Sequence, residues 1–368
     1  MMMFSNLTFK RALAVVLAAV PFAAFAQYTE HNLVSDGYVT ADHVDPNLVN
    51  PWGIAESGGS PFWVSENGTG LATVYNTSGT PSSLVVTIPR ASGSGTGAPT
   101  GQVFNTSSGF LVGGSKPTFL FATEDGTISG WTGGTTAVIG ATKTGGSYKG
   151  LAIATTGGNT FLYATDFANG TIDKYDSNFN RTTISDPNGN TFNGQTYDPY
   201  NVQTLGSHLF VTYALNNGTS NDSTGTVGQG FVDEFNLDGS FVTRLISGGQ
   251  LDQAWGLALA PSTFGQFANA LLVGNFGNGW INAYDPTTGA YLGYIADTNG
   301  HAIAEDGLWG LQFGNGGSGG LANTLYFTAG LNDENDGLFG QIQSVPEPTP
   351  FILAGLCAAG LLLRRARV

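Results

Sequence analysis

Ala254-Trp-Gly-Leu-Ala-Leu259 is followed by Leu271-Leu-Val-Gly-Asn275, a turn at Asn278-Gly279, and Trp280-Ile-Asn-Ala-Tyr284. These apolar runs are too short for helices. Asn-Gly between two of them is a strong hairpin signal, because tight two-residue turns need φ > 0 at their centre. The opening phrase recurs as Asn50-Pro-Trp-Gly-Ile-Ala55, Pro99-Thr-Gly-Gln-Val-Phe104, Tyr148-Lys-Gly-Leu-Ala-Ile153, Pro199-Tyr-Asn-Val-Gln203 and Leu308-Trp-Gly-Leu-Gln-Phe313. Aligned on the glycine, with Asn201 in its place in the fourth copy, the positions are 53, 101, 150, 201, 256 and 310, a spacing of 48 to 55 residues.

Each copy continues in the same way. Phe62–Glu66 turns into Ala72–Tyr75, Phe119–Glu124 into Thr127–Trp131, and Phe161–Asp166 into Thr171–Tyr175 around Asn169-Gly170. Fourth strands are expected at Ser83–Ile88, Thr136–Thr142, Arg181–Ser185, Phe241–Ile246 and Tyr291–Ala296. Four strands at this period describe a propeller blade. The expectation is therefore an all-β, six-bladed β-propeller over residues 27–343. The sixth unit ends at Leu338–Gln343 with only three strands, and an orphan strand, His31–Ser35, lies near the start of the body. Pairing the two would close the ring and remove an exposed sheet edge.

Composition agrees. Gly is 55 of 368 residues, aromatics are 12% and charged residues only 10%, against about 7% Gly and 25% charged in ordinary globular chains. Between Gln27 and Ser344 seven basic residues face 25 acidic ones, a formal charge of −18. A body this acidic repels phosphate backbones, which argues against a nucleic-acid partner. The single cysteine, Cys357, allows neither an intrachain disulfide nor a cysteine-based metal site.

The two ends read as targeting segments. Residues 1–26 have the form of a secretory signal peptide: Lys10 and Arg11, an apolar run Ala12–Ala24, and a cleavage site at Ala24-Phe25-Ala26. Residues 344–368 hold Val345-Pro346-Glu347-Pro348, an apolar stretch Phe351–Leu363, and the cluster Arg364, Arg365 and Arg367. The apolar stretch is short for a permanent transmembrane helix, and the arginines would stay on the cytoplasmic side. This tail resembles a PEP-CTERM sorting signal. The resemblance implies export by the Sec machinery, transient inner-membrane anchoring, cutting by exosortase near Pro-Glu-Pro, and release to the cell surface or the exterior. The phrases Asn47–Gly53, Phe121–Trp131, Leu272–Gly277 and Gly337–Gly340 together resemble an uncharacterised family of exported bacterial propeller proteins, and the second strands are similar to NHL-type repeats. Neither likeness implies a reaction.

On a propeller, the turns after the second strands share a face with the loops leading into the first strands. That face should collect Glu66, Glu124, Asp166, Asn275 and Asp333. Oxygen ligands converging on a central channel suit Ca²⁺; the competing reading is that Asp and Asn in tight turns bond their own backbone. Trp52, Trp255 and Trp309 share one repeat position, open to two readings, a stacking platform for sugars or packing between blades. Neither a Gly-x-Ser-x-Gly nor a His-Glu-x-x-His pattern is present. The function expected is a surface or matrix module that binds exopolysaccharide or a surface protein. The alternative is a metal-dependent hydrolase, lactonase or lyase with its site in the channel.

Overall fold

The structure is a computed structural model that describes residues 27–218 and 222–345. The signal residues, including Ala24 and Ala26, and the tail from Pro346 onward, with Glu347, Pro348 and the three arginines, lie outside the described residues. Among the described residues no helix is long and apolar enough to cross a membrane.

Six sheets form the ring of a six-bladed β-propeller. Blade 1 comprises Pro51–Ala55, Phe62–Glu66, Leu71–Tyr75 and Val86–Thr87; blade 2 Pro99–Phe104, Phe119–Thr123, Thr127–Trp131 and Val138–Thr142. Blade 3 comprises Tyr148–Thr156, Asn159–Asp166, Thr171–Tyr175 and Arg181–Ile184. Blade 4 is built from Gln195–Leu205, His208–Asn216, Phe231–Asn236 and Phe241–Ser247, and blade 5 from Ala254–Leu259, Leu271–Asn275, Ile281–Tyr284 and Tyr291–Tyr294. Blade 6 takes Leu308–Phe313, Thr324–Ala329 and Leu338–Ser344 from its own repeat and its outer strand, Tyr28–Ser35, from the start of the body.

Ring closure follows the expected pairing. Tyr28 faces Ser344, His31 faces Gln341 and Ser35 faces Leu338 in an antiparallel ladder. The strand begins at Tyr28, earlier than the alternation of His31–Ser35 suggested. Tyr28 N–H donates to Ala296 O at 2.9 Å and its hydroxyl to Phe264 O at 3.2 Å, so this strand also ties blade 6 to blade 5. The fourth strand of blade 1 is shorter than expected, with only Val86–Thr87 paired.

Six apolar clusters fill the gaps between successive blades. Trp63, Val74 and Val86 meet Phe119 and Phe121 between blades 1 and 2, for example, and Leu33 and Val34 join Phe62, Tyr75, Tyr326 and Phe339 at the closing gap. A seventh cluster, of aromatic rings, sits on the axis.

The repeat glycines explain the ring's tightness. A Cβ at Gly101 would stand 2.3 Å from Leu151 N, at Gly53 2.5 Å from Thr100 O, at Gly256 2.7 Å from Trp309 O, and at Gly310 2.5 Å from Trp52 O. Each glycine thus lets one first strand touch the first strand of the next blade. In blade 4 Asn201 replaces glycine and spans the gap by donating from Nδ2 to Trp255 O at 2.7 Å. Register shifts occur at this point in all six first strands. In blades 3, 4 and 6 a threonine hydroxyl of the second strand accepts the N–H there: Thr165 from Gly150, Thr212 from Asn201 and Thr328 from Gly310.

Gly101→Ala and Gly310→Ala are expected to lower the stability of the ring by about 1–3 kcal/mol each, the usual size of an overpacking strain. Gly58→Ala, where the added Cβ meets nothing within 4 Å, should be neutral. Urea unfolding of the three variants checks the difference.

Candidate functional site

The residues immediately preceding the repeat glycine or asparagine are Trp52, Thr100, Lys149, Tyr200, Trp255 and Trp309. Strand alternation sends this column toward the axis. Trp52 stacks on Trp309 with centroids 3.5 Å apart, and Trp255 meets both edge-on at 5.9 and 5.8 Å. Tyr200 packs edge-on against Trp52 and Trp309, and Phe276 stacks on Trp309 at 4.3 Å. The central channel is closed by these rings. The packing reading of the tryptophans holds: Trp52 of blade 1, Trp255 of blade 5 and Trp309 of blade 6 pack on one another at the hub, and Trp52 and Trp309, 3% and 1% exposed, are too covered to serve as an open platform.

Above the plug, on the face carrying the turns after the second strands, lies a hollow of about 260 Å³. Its floor is formed by Trp52, Tyr200, Phe276 and Trp309, and its walls by Lys149, Asp222, Ser223, Asp333 and Glu334. Lys149 is buried, its ammonium hydrogen-bonded to Glu124 and 5.1 Å from the centre of the Trp52 ring. Glu124 is held in turn by Asn67 Nδ2 at 3.2 Å. The other two indoles have partners: Trp309 Nε1 donates to Asn50 Oδ1 at 2.9 Å and Trp255 Nε1 to Lys149 O at 3.3 Å. Trp52 Nε1, equally buried, has no acceptor. An unmade bond at a buried donor costs about 1–3 kcal/mol.

The backbone around the hollow is strained. Asn332, Asp333 and Glu334 follow one another in the left-handed region at φ 55°, 52° and 65°, and Asn50 and Gln253 join them at 46° and 52°. A non-glycine residue costs energy in that region, and such residues gather at ligand sites. Here they are held by Asp306 Oδ2 accepting from Asn332 N at 3.1 Å, Asp336 Oδ2 accepting from Asn332 Nδ2 at 2.7 Å, and the Trp309–Asn50 bond. Burial, with Glu124 nearby, pushes the Glu334 carboxyl up to about 7; Lys149 partly offsets this. Burial also raises the Tyr200 hydroxyl well above its ordinary value.

The five residues expected to converge on a cation do not meet. Glu124 stands beside Lys149 at the hollow and Asp333 lines it. Glu66 is fully buried inside blade 1, where Thr73 Oγ1 donates to it at 2.5 Å and burial raises its carboxyl. Asp166 is taken by Ser147 N at 3.0 Å, Asn169 Nδ2 at 2.8 Å and Lys143 Nζ at 2.5 Å. Asn275 donates to Gln250 O at 2.8 Å and to Asn278 Oδ1 at 3.0 Å. The reason is a one-residue offset. Pro51 pairs with Glu66, Tyr148 with Asp166 and Ala254 with Asn275, so the next residue in each turn points to the axis: Asn67, Phe167 and Phe276. Glu124 already occupies that next position, because Pro99 pairs with Thr123. Among the described residues no three His, Cys, Asp or Glu side chains are grouped to hold a metal ion, so the donor set of a channel metalloenzyme is not assembled. Lys149, Tyr200, Phe276 and Glu334 were missed; the first two stand in the tryptophan column of the repeat.

No protein-family model matches the chain. It is 32% identical over 342 residues to the uncharacterised protein L690 of Acanthamoeba polyphaga mimivirus, covering 88% of this chain and 87% of that one. It is 33% identical over 344 residues to the uncharacterised protein R648 of the same virus, covering 88% and 82%. Among solved structures it resembles catalytically inactive virginiamycin B lyase from Staphylococcus aureus with quinupristin. That match has a TM-score of 0.50 and 11% identity over 87% of this chain and 99% of the other. At that identity the likeness concerns the fold alone.

Two expectations follow from this geometry. Trp309→Ala empties the hub and should cost about 3–5 kcal/mol, as for a large core ring, measured by chemical denaturation. The second concerns pH. An acid whose carboxyl titrates near 7 when folded and near about 4.3 when unfolded holds its proton more tightly in the native state. Its burial therefore weakens the fold progressively as pH rises through that interval. Glu334→Gln should flatten the decline in stability between pH 5 and 7; an unchanged decline in urea midpoints would remove Glu334 as its source.

Proposed function

The chain belongs to the family of the mimivirus proteins L690 and R648, and from that premise and the axial hollow we propose that it is an exported binding module that takes a saccharide unit of a surface polysaccharide. The observation that carries this reading is a hollow floored by aromatic rings and walled by polar side chains. A sugar ring presents C–H faces that pack on aromatic rings and hydroxyls that both donate and accept. Here the side chains of Lys149 and Ser223 and the carboxyl groups of Asp222, Asp333 and Glu334 stand around the aromatic floor. The half-buried Phe276, stacked on Trp309, provides the accessible ring face. A volume of about 260 Å³ lies just below the range of about 300–1,000 Å³ typical of small-ligand sites, which suits one sugar unit rather than a long chain segment.

The reading includes the two ends. Residues 1–26 would direct the chain to the Sec machinery, and the tail from Val345 to Val368 would hold it at the inner membrane until exosortase cuts near Pro346-Glu347-Pro348 and the body passes to the cell surface or beyond. This part is supported by the sequence pattern of the ends.

Two experiments test it. Phe276→Ala should weaken binding of a cell-surface oligosaccharide about tenfold, the equivalent of one lost aromatic contact of about 1.4 kcal/mol, with the melting temperature little changed. Titration calorimetry against a panel of neutral oligosaccharides reads this; no saturable binding to any of them would sink the saccharide reading. Separately, a chain lacking residues 345–368 should fail to reach the surface fraction of fractionated cells. Its arrival there would overturn the sorting reading.

A further inference from the structure

A hollow of about 280 Å³ lies at the other end of the axis, where the first strands finish, and its walls mix amides, a carboxyl and apolar groups. A third hollow, of about 310 Å³, lies on the outer rim of blade 5 and is more one-sided. One wall carries Phe267, on the short 3-10 turn Gly265–Phe267 that follows the first strand; the other carries Leu292, Gly293 and Tyr294 of the outer strand. No charged side chain lines it. Gly293 lets the two walls approach, since a Cβ there would stand 3.1 Å from Phe267 Cζ. Tyr294 packs on Trp280 with centroids 5.1 Å apart. Leu292 is 48% exposed and its neighbour Tyr291 44%, so an apolar strip borders this groove, and such strips mark docking surfaces.

The last described residue, Val345, stands at the mouth of the groove. Its N–H donates to Gln27 O at 2.7 Å, and Gln27 Nε2 donates to Thr298 O at 3.0 Å. Ser344 lies against the 3-10 turn, where a Cβ at Gly265 would stand 3.1 Å from its own Cβ. Gly265 and Thr298 are each next in sequence to a residue of the groove, Gln266 and Asn299. The sequence beyond Val345 continues Pro346-Glu-Pro-Thr-Pro350. In an extended chain alternate residues share a side, which puts the three prolines on one side and Glu347 and Thr349 on the other. Proline has no N–H to lose a partner against an apolar wall, and aromatic-lined grooves take proline-rich segments because these are extended before they bind.

From the chemistry of this groove and its place beside Val345 we propose that the rim of blade 5 seats the chain's own segment Pro346–Pro350, prolines inward against Phe267, Leu292 and Tyr294 and Glu347 outward. A segment tethered this closely has an effective concentration of about 1 mM or more, so an intrinsic affinity of that order keeps the groove occupied. Docking holds the Pro-Glu-Pro segment extended with its carboxylate in water, the form in which another protein can read it. It also fixes which part of the ring lies nearest to whatever holds the apolar stretch Phe351–Leu363.

The test uses the full-length chain in detergent with Cys357→Ser, so that an introduced thiol is the only one. In this background Leu292→Cys places a thiol on the groove, and Val138→Cys places one on blade 2, where exposure is similar at 41%. The thiol at position 292 should react with a maleimide at least tenfold more slowly in the intact chain than in one carrying Pro346→Ser, Pro348→Ser and Pro350→Ser. The thiol at position 138 should react alike in both. Equal rates at position 292 overturn the proposal. A second measurement identifies the occupant. With Leu292→Cys and Thr349→Cys together, a short bis-maleimide should join the two thiols within one chain, read as a monomer by intact mass. Joining of two chains makes a second copy the occupant and overturns the proposal, as does the absence of a link. Purified protein is used throughout, with neither exosortase nor oligosaccharide present, so the sorting and saccharide readings can fail without this one, and this one without them.

Discussion

Six first strands pack around one axis with backbone touching backbone, and the rest of the molecule depends on that contact. Side chains at those points would hold the strands apart. The glycines at 53, 101, 150, 256 and 310 remove the obstruction, and Asn201 converts it into a hydrogen bond across the gap. The same closeness exposes inward carbonyls that need donors. They come from the neighbouring blade: Gln102 to Gly53 O, Thr100 to Tyr148 O, Thr165 to Tyr200 O and Thr328 to Trp52 O. The ring is thus closed by polar bonds at the hub and by apolar clusters between the blades.

The tight hub decides what the axis can be used for. With the strands this close, the residue before each glycine has nowhere to go except into the centre, and three indoles with Tyr200 fill it. A propeller with an open channel can place a metal or a reaction along its length; here the channel is divided into two shallow ends. One end joins aromatic faces with a buried ammonium and two rim carboxylates on a strained turn. The other is bordered by Glu56, Gln102, Gln203 and Gln312 with the apolar Ile54, Val103, Phe104 and Ile153. The acidity of the body, with seven basic residues against 25 acidic ones between Gln27 and Ser344, favours cationic or uncharged ligands over anionic ones at either end.

Much of this fold was legible in the sequence because a propeller is periodic, and its period is carried by residues with strong local physics. The Trp-Gly phrase, the Asn-Gly turns and the unmatched strand near the start of the body led to six blades and their closure. The site was less legible. Glu66, Asp166 and Asn275 sit in the expected turns, but one residue before the axial position, and a shift of one reverses the direction of a strand side chain. Lys149 and Tyr200 share a repeat column with Trp52, yet a lysine among tryptophans gives no signal until the ring brings Glu124 beside it.

Repetition, turn chemistry and strand alternation, all local in the chain, determined by sequence alone that this protein would be a ring of six sheets with its first strand lent to its last. Which side chains meet at the hub is a property of residues as far apart as Trp52 and Trp309, and no local rule sets their distance. Only the closed ring decided that the tryptophans plug the axis, that Trp52 Nε1 and Gln102 Oε1 are left without partners, and that burial raises the carboxyls of Glu334 and Glu56. The physical reason is that burial and pairing depend on which blades come to face one another, whereas a strand needs only its own alternation.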